Sequence, residues 1–166
     1  MLHYNLGKQS LIVTVADEIE AMRNYMELQR IRYDYEFEFH VVVDEEVLQV
    51  AVPRFLLQPL VENSIYHGVS EQSSSVSVTA IPSGSDHVTL QVKDNGSGID
   101  KQVLEQLFTD NSKEKKRGLG IGLSYVNRML TFYYGKEAQL TVESEPGVGT
   151  TVSIIIPRKT KEELHD

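Results

Sequence analysis

Apolar and polar positions along this chain follow two periods, and the switches between them mark out the elements. From residue 14 to residue 33, Val15, Ile19, Met22 and Met26 recur at three- and four-residue intervals, which predicts a helix with one apolar face. Thr14 followed by Asp17 supplies a cap for its start. Period two takes over next. Phe37, Phe39, Val41 and Val43 alternate with Glu36, Glu38, His40 and Val42, a strand pattern. A second short strand is expected over residues 47–52. Leu56, Leu57, Leu60, Val61 and Ile65 then form the apolar stripe of a helix read from Pro53, a residue suited to a first helical turn, through Gly68. Pro59 falls inside that stretch and predicts either a distortion or a late start, because it has no N–H to donate.

The second half reads in the same way. Val76, Val78 and Ala80, then Val88, Leu90 and Val92, predict a hairpin turned at Pro82-Ser83-Gly84-Ser85-Asp86. Ser73-Ser74-Ser75 before it reads as a loop. Asp100 is expected to cap a short helix to Phe108. Residues 109–120 have no apolar period and are rich in Lys, Gly and Asn, so they read as a mobile loop. A helix starting near Gly122 and ending at Tyr134 is closed by Gly135. Leu140 and Val142, then Val152, Ile154 and Ile156, predict a last hairpin turned at Glu145-Pro146-Gly147, and residues 158–166 read as a charged tail. Strands and helices mix without regular β-α-β alternation. The expected fold is therefore α+β: a two-layer sandwich, its mixed sheet covered on one face by helices.

Composition narrows the function. A chain of 166 residues suits one domain with its own core. It has no cysteine, which excludes disulfides and thiolate metal sites. The net charge of -8 argues against a nucleic-acid partner or an anionic membrane surface. No apolar run approaches the length of about 18 residues that a spanning helix needs. One dense basic cluster stands against the acidic balance: Lys113, Lys115, Lys116 and Arg117, immediately before a glycine-rich segment.

Four short segments carry the candidate chemistry. They are Glu62-Asn63-Ser64-Ile65-Tyr66-His67-Gly68, Asp94-Asn95-Gly96-Ser97-Gly98-Ile99, Gly118-Leu119-Gly120-Ile121-Gly122-Leu123 and Gly147-Val148-Gly149-Thr150-Thr151. Each alone is weak; together they supply what a pocket for a magnesium nucleotide needs. The amide oxygen of Asn63 is a hard ligand of the kind magnesium prefers. Asp94, ending a strand, can accept a hydrogen bond from the amino group of adenine. Guanine would present a carbonyl oxygen there, so acceptor would face acceptor. Gly96 and Gly98 leave room for a base. Gly118, Gly120 and Gly122 open a helix, where backbone amides and the helix dipole favour phosphate. The spacing is not that of a Walker A loop, and no strand leads into it as a dinucleotide-binding site requires. Each residue also has a plain structural reading: a helix asparagine, a turn aspartate, a flexible loop, a strand threonine.

The order and spacing of these segments resemble the N, G1, G2 and G3 boxes of the ATP-binding domain of sensor histidine kinases, whose fold is shared with DNA gyrase, the heat-shock ATPases and MutL. The resemblance runs roughly from Val13 to Pro157. It implies that Asn63 holds magnesium, that Asp94 with Gly96, Gly98 and Ile99 receives adenine, and that Gly118, Leu119, Gly120, Gly122 and Leu123 meet the phosphates. Thr150, or its neighbour Thr151, would back the adenine site. It also implies a lid over the triphosphate built from residues 109–120, with Lys116 and Arg117 at the phosphates and Phe108 as an anchoring aromatic. Two departures stand out. Pro59 occupies the position where hydrolysing members carry a water-activating glutamate. Tyr66 stands where many sensor kinases have a phosphate-contacting lysine, which leaves His67 as the phosphate-facing candidate. Glu62 lies about 100° around the helix from Asn63, and a role for it as a base stays open.

Gln58-Pro59-Leu60-Val61-Glu62-Asn63 and Arg23-Asn24-Tyr25-Met26-Glu27-Leu28-Gln29-Arg30-Ile31-Arg32 resemble the LytS-type kinases of bacterial two-component systems. That likeness implies transfer of the γ-phosphoryl group of ATP to a histidine on a dimerisation domain, then to a response regulator. None of His3, His40, His67, His87 and His165 has the Asn-Pro-His-Phe-like context of such an acceptor. Residues 1–12 are thus expected to be a remnant of the dimerisation or linker region, 13–157 the catalytic domain, and 158–166 a tail. The expected piece is a monomeric cytoplasmic domain of a homodimeric, membrane-anchored parent, touching neither membrane nor nucleic acid. Two other readings remain: a protein-serine kinase of the anti-sigma-factor type, and a non-catalytic ATP sensor.

Overall fold

The computed structural model describes residues 11–32, 37–68, 74–107 and 118–164. A short strand β1 (Ile12–Thr14) leads directly into helix α1 (Val15–Arg32). Thr14 and Asp17 cap α1 reciprocally: Thr14 N donates to Asp17 Oδ2 at 2.9 Å and Asp17 N to Thr14 Oγ1 at 3.2 Å. The apolar stripe of α1 is buried as its period predicts, with Val15, Ile19, Met22 and Met26 all at 4% exposure or less. Strand β2 (Phe37–Val43) follows, then a 3-10 turn (Glu45–Val47) and strand β3 (Ala51–Pro53). The strand expected over residues 47–52 is thus displaced: Val47 ends the 3-10 turn, and the extended backbone begins at Ala51. There β3 pairs antiparallel with β1, a two-stranded sheet too short to show a period.

Helix α2 (Gln58–Gly68) begins five residues later than Pro53, which ends β3 instead. Pro59 accounts for the late start. It is the second residue of the helix, where its missing N–H breaks no internal bond, while Leu60 N and Val61 N both donate to Leu57 O at 3.0 Å. Strands β4 (Ser74–Ser83) and β5 (His87–Asp94) form the expected hairpin. Helix α3 (Lys101–Leu107) starts after Asp100, whose Oδ1 accepts from Gln102 N at 2.9 Å. Helix α4 (Gly118–Tyr134) starts four residues before Gly122, so all three glycines of that segment lie inside it. Gly135, at φ 60°, stops it. Strands β6 (Gln139–Glu145) and β7 (Gly149–Pro157) close the fold.

The main sheet has the order β2-β4-β5-β7-β6, with β2 and β4 parallel and the other neighbours antiparallel. It is the mixed sheet of an α+β sandwich. Its core face is built in register rows: Val43, Ala80, Leu90, Ile154 and Leu140 in one, and Val41, Val78, Val92, Val152 and Val142 in the next. Helix α2 packs on β4, β5 and β7, with α4 against it. Residues 158–164, read as a tail, are built into the fold. Arg158 bonds Glu46, His87 O and Gly84 O at 2.7–3.2 Å, Lys159 O accepts from Ala51 N at 2.8 Å, and Leu164 is 1% exposed.

Two predictions follow from this packing. The hydrogen bond from Thr14 N, with help from the Thr14 hydroxyl, holds the Asp17 carboxyl below the ordinary aspartate range. A folded pKa below the unfolded one gives stability that is present above the unfolded value and lost as pH falls through the folded value. Asp17→Asn should therefore destabilise the domain near pH 7, and denaturant melts should show the gap from the parent closing towards pH 3. At the other end of the core, Tyr134 is 5% exposed and its hydroxyl has no hydrogen-bond partner among the described residues. Tyr134→Phe is expected to raise stability by about 1 kcal/mol, since an unpaired buried hydroxyl is removed at little cost in volume. A loss of stability in thermal melts would contradict this.

Candidate functional site

The sheet changes character one row beyond the valines. On the same face, Val76 of β4 lies opposite Asp94 of β5, Asp94 opposite Thr150 of β7, and Thr150 opposite Ser144 of β6. A carboxylate and two hydroxyls replace three aliphatic side chains, and Asp94 is only 7% exposed. Its Oδ1 accepts from Gly96 N at 2.9 Å, an aspartate turn that orients the carboxylate. Asn95 extends the β4 pairing: its N donates to Ser75 O at 3.3 Å and its Oδ1 accepts from Ser75 N at 2.7 Å.

The turn after Asp94 is docked on the β6–β7 hairpin. Ile99 N donates to Ser144 Oγ at 2.7 Å, and Gly147 N donates to Ser97 O at 2.8 Å. Ser144 Oγ also lies 2.8 Å from Thr150 Oγ1 and donates to Gly149 O at 3.1 Å. Two glycines make the approach possible. Gly98 has φ 76°, and a Cβ there would collide with the Glu145 carbonyl; Gly149 has φ 143°, and a Cβ there would collide with the Asp94 carbonyl. Thr151 pairs with Lys93 and so belongs to the opposite face, leaving Thr150 as the hydroxyl in the Asp94 row.

The helix layer supplies the other wall. Leu60, Asn63 and Ser64 of α2 face Asp94, Gly98, Ile99 and Thr150 across a cleft of about 60 Å³. The Asn63 Nδ2 atom is buried with no hydrogen-bond partner among the described residues. It rests on α4: a Cβ on Gly122 would come within 2.7 Å of it. Glycine inside a helix costs about 1 kcal/mol against alanine, and at position 122 it leaves room for the Asn63 amide, which a Cβ would displace.

The predicted residues fall into four groups. Asn63, Asp94, Gly98, Ile99 and Thr150 line one cleft, with Gly96 bonded to Asp94 and Gly122 against Asn63. Gly118, Leu119 and Gly120 form the first turn of α4, Leu123 is buried in the core, and His67 lies in the last turn of α2. Glu62 stands apart: it is exposed, its carboxylate accepts from Gln58 Nε2 at 2.9 Å, and it does not line the cleft. Lys116, Arg117 and Phe108 lie outside the described residues. Ser64 and Ser144 were not anticipated. Ser144 carried a signal, since it continues the core-face alternation of Leu140 and Val142 with a hydroxyl.

A buried carboxylate, a hydroxyl pair beside it and an amide on the facing helix thus meet at a cleft between sheet and helices in a two-layer α+β domain. The chain matches the family described as histidine kinase-, DNA gyrase B-, and HSP90-like ATPase over residues 51–160, and it belongs to that family. It is 33% identical over 95% of its length to the sensor protein LytS of Bacillus anthracis, and 34% identical over 95% to the sensor histidine kinase/phosphatase LytS of Staphylococcus aureus. It spans 27% of the length of each of those relatives. Among solved structures, a nucleotide-free catalytic domain of the histidine kinase ThkA superposes with a TM-score of 0.69 at 20% identity, covering 92% of this chain and 97% of that one. The mycobacterial sensor histidine kinase MprB gives 0.66 at 21% identity, covering 90% and 97%. These likenesses establish the fold. No helix among the described residues is long and apolar enough to cross a membrane.

The hydroxyl node can be tested without any ligand. Ser144→Ala leaves the Ile99 amide without its acceptor, and a loss of about 1–2 kcal/mol is expected in chemical denaturation. Ile99 amide exchange should speed up more than that of the valine row. Unchanged exchange at Ile99 would show that the turn is held by other means.

Proposed function

We propose that this domain binds magnesium-ATP in the cleft between α2, α4 and the Asp94–Thr150–Ser144 end of the sheet, as the catalytic part of a sensor histidine kinase. The observation that carries this reading is the convergence of Asn63, Asp94, Gly98 and Thr150, from three separate sequence segments, on one cleft. In this reading Asp94 accepts the adenine amino group and Thr150 backs it. Gly118, Leu119 and Gly120 offer backbone amides at a helix start to the phosphates, with Lys116, Arg117 and His67 as further phosphate contacts.

The residues present fit a magnesium ion. Asn63 stands at the cleft wall, and its amide oxygen is a hard ligand of the kind magnesium prefers. Asn63 would hold the ion through Oδ1, and the ion would neutralise phosphate charge. Pro59 leaves no carboxylate one turn before Asn63, which favours transfer over hydrolysis. Glu62, held by Gln58 on the exposed side, lies outside the cleft lining, and a role for it as a base stays open. The domain positions the γ-phosphoryl group and screens its charge rather than forming a bond to it.

The acceptor in this reading is a histidine on a dimerisation domain of the same parent protein. Its ring nitrogen bonds to phosphorus as the bond to ADP breaks, and a response regulator then takes the phosphoryl group. The parent is read as a membrane-anchored homodimer with this domain in the bacterial cytoplasm.

Calorimetric titration with Mg-ATP and Mg-GTP tests the pocket. Saturable ATP binding is expected, with GTP at least roughly tenfold weaker and the preference lost in Asp94→Asn. Binding of neither nucleotide would overturn the reading. With upstream acceptor helices supplied, acid-labile label supports the histidine kinase; acid-stable label on a serine of a separate protein would move the assignment to the anti-sigma-factor type.

A further inference from the structure

Helices α1 and α2 are joined by a carboxylate that the four sequence segments do not include and the cleft does not contain. Glu18 interrupts the apolar stripe of α1 and is 3% exposed. Its Oε1 accepts from Phe55 N at 2.9 Å and its Oε2 from Leu57 N at 3.3 Å. Burial pushes its carboxyl pKa up, while those two amide donors and the nearby Arg54 pull it back. A charge is kept in such a place only when hydrogen bonds compensate it.

Both donors sit where α2 takes its direction. Leu57 supplies the carbonyl that opens the helix, accepting from Leu60 N and Val61 N. Phe55 has φ 64°, the only positive φ of a non-glycine residue among those described. A left-handed phenylalanine persists only where its surroundings hold it. Its own side chain does not do so by burial, being 52% exposed with the Arg54 guanidinium 5.6 Å from the ring centre. The Glu18 carboxylate also places negative charge at the positive end of α2. From Leu57 to Asn63 is less than two helical turns, so a shift at Leu57 is carried rigidly to Asn63 and its seat on Gly122.

We propose that Glu18 is a positioning residue for the nucleotide site: it pins residues 55–57 to α1 and so sets where α2 places Asn63. The idea rests on the reading of Asn63 as the magnesium-holding residue. It predicts that the two halves of the site respond separately. The Asp94 half is fixed to the β6–β7 hairpin through Ser144, whereas Glu18 bonds the amides of Phe55 and Leu57.

The test is Glu18→Gln, which keeps the shape but turns one acceptor into a donor facing an N–H. Mg-ATP affinity should fall about tenfold. ATP affinity without magnesium, and the ATP over GTP ratio, should stay near the parental values. Adding Phe55→Gly to the Glu18→Gln chain removes the left-handed strain and should recover affinity; it also serves if the single variant folds poorly. A uniform fall with and without magnesium would reduce Glu18 to a general stability role, and no change at all would overturn the proposal outright. Failure of the parental chain to bind Mg-ATP would instead strike the functional reading. Amide exchange in the nucleotide-free chain then decides the positional idea by itself: Val61 and Asn63 should exchange faster in Glu18→Gln while Val92 does not. Equal change in both would sink it.

Discussion

A carboxylate buried at the end of an otherwise apolar sheet face is the constraint around which this domain is arranged. Two rows of the core face are wholly aliphatic, and the next carries Asp94, Thr150 and Ser144 on adjacent strands. A buried acceptor must be met by donors, and backbone supplies one directly, the Gly96 amide. Bringing the chain back over the hairpin end then requires backbone to touch backbone. Glycine at 98 and 149 follows from that contact, because a side chain at either would strike a carbonyl. The positive φ of both residues and the Ser144 node are consequences of the same packing.

The helix layer solves a different problem. Asn63 must reach the cleft from a helix that also buries Leu60, Val61 and Ile65, with Leu57 buried just before it. Pro59 shortens α2 at its start without leaving an orphan donor, and the loop before it is tied by Glu18 rather than by a local cap. On the far side, α4 yields space at Gly122. A glycine-rich helix start, usually explained by phosphate alone, here has a second cause in the side chain that leans on it.

Much of this was legible in the sequence, because period two and period 3.6 survive wherever one face is buried. Phe37, Phe39, Val41 and Val43 announced β2, and Thr14 with Asp17 announced the start of α1. What could not be read was set by contacts between distant segments. Strands β1 and β3 are three residues each, too short for any period. Pro53 looked like a helix start because its fixed φ suits one, yet its neighbours pair with β1. The start of α4 reads too late in the sequence because three glycines mask helical propensity. Glu18 was invisible for the opposite reason: on an amphipathic helix an acid looks like solvent-facing sequence until its two amide donors, nearly forty residues away, are in view. The cleft was more legible than its supports, since Asn63, Asp94 and Thr150 lie in compact segments while Ser144 is a single hydroxyl in an ordinary strand.

Charge gives the last step. The cleft walls among the described residues hold one carboxylate and no lysine or arginine, in a chain of net charge -8. A polyanion cannot be drawn into such a place by the walls alone. If the occupant is a nucleoside triphosphate, its attraction has to come from outside those walls: amide dipoles at the start of α4, a cation on Asn63, and the cluster Lys113, Lys115, Lys116 and Arg117 just before it. The base end of the cleft then selects and the helix end attracts. Each is anchored to a different part of the fold, one to a strand hairpin through Ser144, the other to α1 through Glu18. On the proposed reading, recognition of the base and capture of the phosphates would be mechanically separable, and a movement of α1 would alter the second without disturbing the first.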